Sequence, residues 1–181
     1  MGTFDDVNAI SKIAVNTHLA GAAGTVTGAA LTRLIGGKTD IVMMLNGALA
    51  GLVAITAEPL TPGPITAMVI GSIGAVIMYY GTKLLENLGL DDVVGAIPVH
   101  MFAGIFGTLV VPLTNADTSF GTQLIGVISV CVFSFVLSWI TFSTLKSTVG
   151  LRISRAAEKQ GTDKAEVGVI AYSCLLYTSP S

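Results

Sequence analysis

The sequence predicts an all-α integral membrane protein, and three observations lead to this fold class. Hydrophobic residues make up 52% of the 181 residues and charged residues only 11%, whereas about 25% of residues are charged in ordinary soluble domains. The mean hydropathy is +0.79. Five apolar segments reach or approach the roughly 20 residues that a helix needs to cross about 30 Å of hydrocarbon. With a net charge of −2, the composition provides no basic surface for nucleic acid.

The five apolar segments are expected to form membrane-spanning helices, making the protein a partial helical bundle with five crossings. We place the segments at residues 8–35, 41–57, 64–86, 93–113 and 121–147. The second segment is the shortest and lies at the lower edge of a spanning length. The connections between the segments are rich in Gly, Pro, Asn and Asp, which is typical of turns. Residues 1–149 are therefore interpreted as the transmembrane part of the protein.

The basic residues predict how the helices are oriented. If all five segments cross, eight of the nine Lys and Arg residues lie on one side of the membrane, because they follow the first, third and fifth segments. The positive-inside rule assigns that side to the cytoplasm. The sequence thus predicts a multi-pass protein of the inner (plasma) membrane, with its N-terminus outside and residues 150–172 as a cytoplasmic tail.

The start of the chain does not resemble a secretory signal. It reads MGTFDDVNAI, with acidic residues where a signal has basic ones. Because the first apolar segment begins almost at once, we expect an incomplete chain. The two cysteines, Cys131 and Cys174, indicate neither a disulfide framework nor a metal site, and no cofactor is expected.

Two histidines near the middle of apolar segments are the candidate functional residues, because ionisable groups there are costly unless they face a cavity or a partner. His100 is about eight residues into segment four, or about 12 Å deep at about 1.5 Å per residue, and His18 is similarly deep in segment one. A neutral imidazole can donate and accept hydrogen bonds, which suits a pore for a small polar molecule. Pro98 and two glycines surround His100. Alternatively, either histidine only bonds a carbonyl of a neighbouring helix.

Other polar residues are interpreted as structural. Asp91 and Asp92 precede segment four, where a carboxylate can cap the first free N–H groups of a helix. Asn16 and Asn46 are amides within apolar segments and need hydrogen-bond partners. We expect both amides to join neighbouring helices.

Four stretches of the sequence resemble, in the same order, the Amt/MEP/Rh ammonium transporter family. They are AVNTHLAGAAG at 14–24, NGALAGLVAIT at 46–56, DDVVGAIPVHMFAGIFGTL at 91–109 and GLRISRAAEKQGTDKAEVGVIAY at 150–172. The likeness covers nearly the whole chain to Tyr172. By this resemblance, the five segments correspond to helices seven to eleven of an eleven-helix subunit.

The resemblance implies transport of ammonium or ammonia through a narrow hydrophobic pore lined by a histidine pair, in a homotrimer with one pore per subunit. His100 matches the pore histidine of the tenth helix. The other histidine of the pair belongs to the fifth helix, and the outer recruitment site to still earlier helices; this chain contains neither. His18 falls where the family commonly has a polar residue, so the resemblance does not make it the partner of His100. Asp92 matches a structural aspartate of the family.

The tail resembles the regulatory C-terminal region of the family, which contacts neighbouring subunits and, in bacteria, P-II-type signalling proteins. The matching residues are Gly161, Asp163, Gly168 and Tyr172. Val167 stands where a histidine is usual, and Thr162 where a leucine is. Residues 173–181 are similar to translated sequencing-adapter read-through, and we expect them to be non-native.

Two other functions remain open from the sequence. One is an ammonium-sensing membrane receptor of the same fold, which a long appended signalling domain would favour. The other is an unrelated structural membrane bundle in which His100 has no functional role. The leading prediction is a transporter and not an enzyme.

Overall fold

The computed structural model describes residues 2–171, and its regular structure over that range is helical. The helices are α1 (Phe4–Gly36), α2 (Ile41–Ile55), α3 (Pro64–Asn87), α4 (Ile97–Leu113), α5 (Phe120–Thr148) and α6 (Arg155–Gln160), followed by a π-helical turn at Asp163–Val167. This confirms the all-α class predicted from the sequence. Tyr172 and the segment 173–181 lie outside the described residues. The chain divides into two compact units between Ser129 and Val130.

Local side-chain chemistry explains where the first helices begin. The Thr3 hydroxyl accepts from the Asp6 N–H at 3.2 Å, and the Asp6 carboxylate accepts from the Thr3 N–H at 3.2 Å. This reciprocal cap starts α1 at Phe4, four residues before the expected start. The Asp40 carboxylate caps α2 by accepting from the Met43 N–H at 3.0 Å. Pro64 opens α3 at a position where its missing N–H has no consequence.

Helices occupy all five of the segments expected to cross the membrane. Within the described residues, α3 and α5 are long and apolar enough to span a membrane, whereas α2 and α4 are shorter apolar helices. For all five segments, the crossing itself stays a prediction from apolar length and the charge distribution.

The fourth helix begins later than the sequence predicted. Segment four was placed from residue 93, but the chain turns there, with the Gly95 N–H donating to Asp92 O at 3.2 Å and Gly95 at φ +74°. α4 then starts at Ile97. The 12 Å depth assigned to His100 assumed a continuous helix from residue 93, and it does not follow because His100 lies in the first turn of α4.

The first four helices pack through small residues. α1, α2 and α3 contact one another, and α4 packs against α2 and α3. At the α1–α2 contact, a methyl group added to Gly47 would lie 2.6 Å from Gly24 O. Such close contact of backbones is typical of helices in lipid, where packing drives association.

Two clusters of buried apolar side chains form the core of this unit. One cluster joins α1, α2 and α3, and the other joins α2, α3 and α4. The second cluster consists of Ala50, Met78, Val99 and Ala103. It fixes the start of α4, because Val99 is only 1% exposed.

Candidate functional site

His100 lies in a turn of unusual helical geometry. Residues Ile97–Phe102 form a π-helix, and Pro98 stands near its start. Pro98 has no N–H to donate, which loosens the hydrogen-bond pattern of the first turn. Single π-helical turns occur frequently at functional sites. We therefore take this turn, Ile97–Phe102, as the centre of the candidate site and call it the π-turn.

The π-turn has a buried face and an exposed face. Pro98 and Val99 are buried, and a methyl group added to Gly81 of α3 would meet the Phe102 ring and lie 3.3 Å from Pro98 Cβ. His100 is exposed. Its imidazole makes no hydrogen bond to any residue that the structure describes. Packing on one face of the turn therefore leaves the imidazole available on the other.

His18 has a different environment. It lies on α1, is exposed, and its Nδ1 is 2.7 Å from Ala14 O on the same helix. Because a carbonyl can only accept, Nδ1 carries the hydrogen of this bond. The two candidate histidines thus lie on different helices, and no Cα atom of α1 lies within 8 Å of a Cα atom of α4. The structure does not bring His18 and His100 together.

The two aspartates before α4 differ in their contacts. Asp92 Oδ1 accepts from the Ala96 N–H at 2.9 Å, and Asp92 Oδ2 accepts from the Ile97 N–H at 2.8 Å. These are two of the free N–H groups at the start of the helix. Asp91 is exposed and makes no side-chain hydrogen bond within residues 2–171. Both aspartates line a pocket of about 290 Å³ beside Pro98, which His100 does not line.

Asn16, which is buried, and Asn46, which is half-buried, bind loop carbonyls, whereas we expected them to join neighbouring helices. Asn16 Nδ2 donates to Pro59 O at 2.8 Å and to Pro62 O at 2.9 Å, in the loop between α2 and α3. Asn46 Nδ2 donates to Val94 O at 3.0 Å, in the segment that enters α4. All three acceptors are carbonyls of loop or turn residues.

Sequence reasoning assigned no role to Glu58, but the structure gives it three hydrogen bonds. Its Oε1 accepts from the Leu60 and Thr61 N–H groups, each at 3.2 Å, and its Oε2 accepts from Asn115 Nδ2 at 3.1 Å. The contact joins the loop after α2 to the loop after α4. The positive-inside rule predicts that both of these loops lie on the outer side. The sequence signal was a carboxylate in a loop with two prolines, Pro59 and Pro62.

In the tail, one carboxylate organises a compact turn. Asp163 Oδ1 accepts from the Lys164 N–H and Asp163 Oδ2 from the Ala171 N–H, both at 2.9 Å. These bonds, the one from Ala171 first, hold the pKa of the Asp163 carboxyl below its usual value. Gly161 and Gly168 have φ of +95° and +74°, which favours glycine. Tyr172 lies outside the described residues.

Apolar helices packed through glycines, two of them long enough to span a bilayer, place this chain among the helical membrane proteins. Comparison with known proteins is more specific. The model of the Ammonium Transporter Family matches residues 2–172, and the chain belongs to this family.

Curated relatives and solved structures agree with this membership. The chain is 42% identical to the ammonium transporter Amt2 of Archaeoglobus fulgidus, over 90% of this chain and 39% of that protein. It is 32% identical to an ammonium transporter of Corynebacterium glutamicum, over 94% of this chain and 41% of that protein. A solved Sensor Amt Protein superposes with a TM-score of 0.81 at 30% identity, over 87% of this chain and 42% of that one. Candida albicans Mep2 superposes with a TM-score of 0.74 at 27% identity, over 87% of this chain and 39% of that one. The chain thus spans about two fifths of the length of these proteins.

Proposed function

We propose that this chain forms part of a conduction pathway for ammonium or ammonia, with His100 lining the pore. The observation that carries the proposal is the exposed imidazole on the π-turn, in a chain whose relatives are named ammonium transporters. A bare cation is very costly in hydrocarbon, whereas a neutral molecule is not. An imidazole that has no other partner can donate or accept a hydrogen bond where water is scarce.

A second imidazole would complete the pair that the family uses. We propose that it comes from the fifth helix of the family's subunit and not from His18. His18 is on α1, which has no Cα atom within 8 Å of a Cα atom of α4, and its Nδ1 is bonded within α1. His18 therefore serves as the internal control for the role of His100.

Uptake of labelled methylammonium tests the pore role of His100. The measurement uses cells that express the protein from its complete gene, with uptake normalised to the amount of protein in the membrane. We expect His100→Ala to lower uptake about tenfold or more, the scale on which removal of one positioned polar group acts, and His18→Ala to leave it within about twofold. Equal uptake by wild type and His100→Ala would refute the pore role.

The second candidate function is an ammonium sensor of the same fold. It is favoured by the likeness to the solved Sensor Amt Protein. A sensor binds ammonium without carrying it, so the wild type would show saturable ammonium binding by calorimetry and no methylammonium uptake. Uptake above that of cells lacking the gene would argue against this function.

We also propose a homotrimer in the inner (plasma) membrane, with the tail in the cytoplasm. The distribution of basic residues supports this orientation, and the turn organised by Asp163 gives the tail a defined surface for a neighbouring subunit or a P-II-type protein. The mass of the detergent-solubilised complex tests the trimer. Protection of a tag after Ala171 from protease added outside intact cells tests the orientation.

A further inference from the structure

The segment that enters the π-turn is held by side chains from outside the turn. The Asp92 carboxylate binds the N–H groups of Ala96 and Ile97 at 2.9 and 2.8 Å. Asn46, on α2, donates to Val94 O at 3.0 Å. Asn46 thus supplies the hydrogen bond that ties this segment to a different helix.

Gly95 packs directly against the Asn46 amide. A methyl group added to Gly95 would lie 2.7 Å from Asn46 Nδ2, and Gly95 has φ +74°. Residues with a side chain rarely adopt this backbone conformation, so the conformation favours glycine, and a larger residue here would also displace the Asn46 amide. The backbone at residues 94 and 95 is therefore fitted closely to Asn46.

The same helix α2 contacts the π-turn a second time, one turn further on. Ala50 is fully buried in the cluster that contains Val99, and Val99 directly precedes His100. The Gly95 carbonyl accepts from the Val99 N–H at 3.1 Å, so a shift of residues 94 and 95 is passed directly to the residue before the imidazole.

We infer that Asn46 is a positioning residue for His100: its amide fixes the backbone at Val94 and Gly95, and thereby the direction in which the π-turn presents the imidazole. This inference rests on the pore role proposed for His100. A hydrogen bond to a backbone carbonyl suits the task, because it constrains the main chain and leaves the imidazole free.

Asn16 provides a matched control. It is also an asparagine that binds a loop, it is fully buried, and it makes two hydrogen bonds where Asn46 makes one. Its loop, between α2 and α3, does not lead into the π-turn. If the two asparagines served stability alone, substitution of Asn16 would have the larger effect on uptake.

A double-mutant cycle tests the inference through transport. Asn46→Ala and Asn46→Leu, the latter of nearly unchanged volume, are each combined with His100→Ala in the protein from its complete gene. We expect either single variant to lower normalised methylammonium uptake about fivefold, the change that corresponds to about 1 kcal/mol, the net contribution of one hydrogen bond. Asn16→Ala should stay within about twofold. The double variants should be no lower than His100→Ala, because Asn46 acts through His100; independent, multiplying effects would overturn the inference.

A second measurement does not depend on transport. The rate at which diethyl pyrocarbonate modifies each histidine of the purified protein is followed by mass spectrometry. Asn46→Ala and Asn46→Leu should change the rate at His100 about threefold or more and leave the rate at His18 unchanged, since one hydrogen bond is sufficient for such a shift. An unchanged rate at His100 in both variants would overturn the positioning role. If His100→Ala leaves uptake intact, the proposed pore role fails, and this measurement still decides the positioning role.

Discussion

Asn16 offers the sharpest test of how the helices are joined to their loops. In Asn16→Ala, the two hydrogen bonds to Pro59 O and Pro62 O at 2.8 and 2.9 Å are lost. At about 1 kcal/mol net each, they sum to about 2 kcal/mol, and the two carbonyls left without a donor add a further cost. The variant also removes Asn16 Oδ1, which has no partner among the described residues, so part of the cost is offset. We expect a net loss of about 1–3 kcal/mol.

Asn16→Asp distinguishes the contribution of the amide hydrogens to stability from the contribution of the side-chain shape. This variant keeps the volume but places carboxylate oxygens against the two carbonyl oxygens, in a site that is fully buried. A buried charge without a partner costs more than a lost hydrogen bond. Asn16→Asp should therefore be the more damaging of the two variants.

The thermal midpoint of the detergent-solubilised protein, followed by size-exclusion chromatography, measures both variants. Asn16→Ala should lower the midpoint by a few degrees, at roughly 2–4 °C for each kcal/mol, and Asn16→Asp should lower it further. An Asn16→Asp variant as stable as wild type would refute the reasoning, because it would mean that Pro59 O and Pro62 O need no donor.

Two further predictions concern packing and the tail. Gly47→Val should lower the thermal midpoint by the equivalent of about 1–3 kcal/mol, the usual cost of overpacking, because the added carbon meets a backbone oxygen of α1 at 2.6 Å. Gly121→Val is the control, because a carbon added there meets nothing within 4 Å. Equal midpoints for the two variants would contradict the packing. The pKa of Asp163 is lowered by the hydrogen bonds that it accepts, so the tail turn is stabilised above the ordinary carboxyl pKa of about 4 and loses this stabilisation as the pH falls through the lower folded value. Hydrogen exchange at the Ala171 N–H, corrected for its intrinsic pH dependence, should lose protection on acidification in the wild type and be unprotected at every pH in Asp163→Ala. Protection in that variant would argue against the assigned bond.

Much of the fold follows from the sequence because its signals are local. Apolar length and polar turns placed helices at all five expected segments, and small residues indicated close packing. The partners of the two asparagines could not be predicted, because these contacts are non-local. The Asn46 bond joins residues 48 positions apart and one Asn16 bond joins residues 43 apart. The acceptors, Val94 O and Pro59 O, are backbone carbonyls, so no side chain in the sequence marks them as partners of the asparagines.

The start of α4 shows a different limit, which is local. The apolar run from Val93 was predicted to be a continuous helix. Instead, Gly95 adopts a left-handed backbone conformation, and with the two hydrogen bonds to Asp92 it holds the chain in a turn until Ile97. Hydropathy cannot distinguish these conformations because the apolar residues are the same in both.

The sequence by itself determined that this is an all-helical membrane protein, and its motifs pointed to the family whose model matches residues 2–172. Composition and motif order are properties of the chain and need no coordinates. Only the tertiary structure decided that His100 lies on a π-turn, that its neighbours Pro98 and Val99 are buried while it is exposed, and that Asn46 holds the backbone before it. Those facts depend on packing against α2 and α3, because the direction of one side chain is fixed by contacts between residues distant in the sequence.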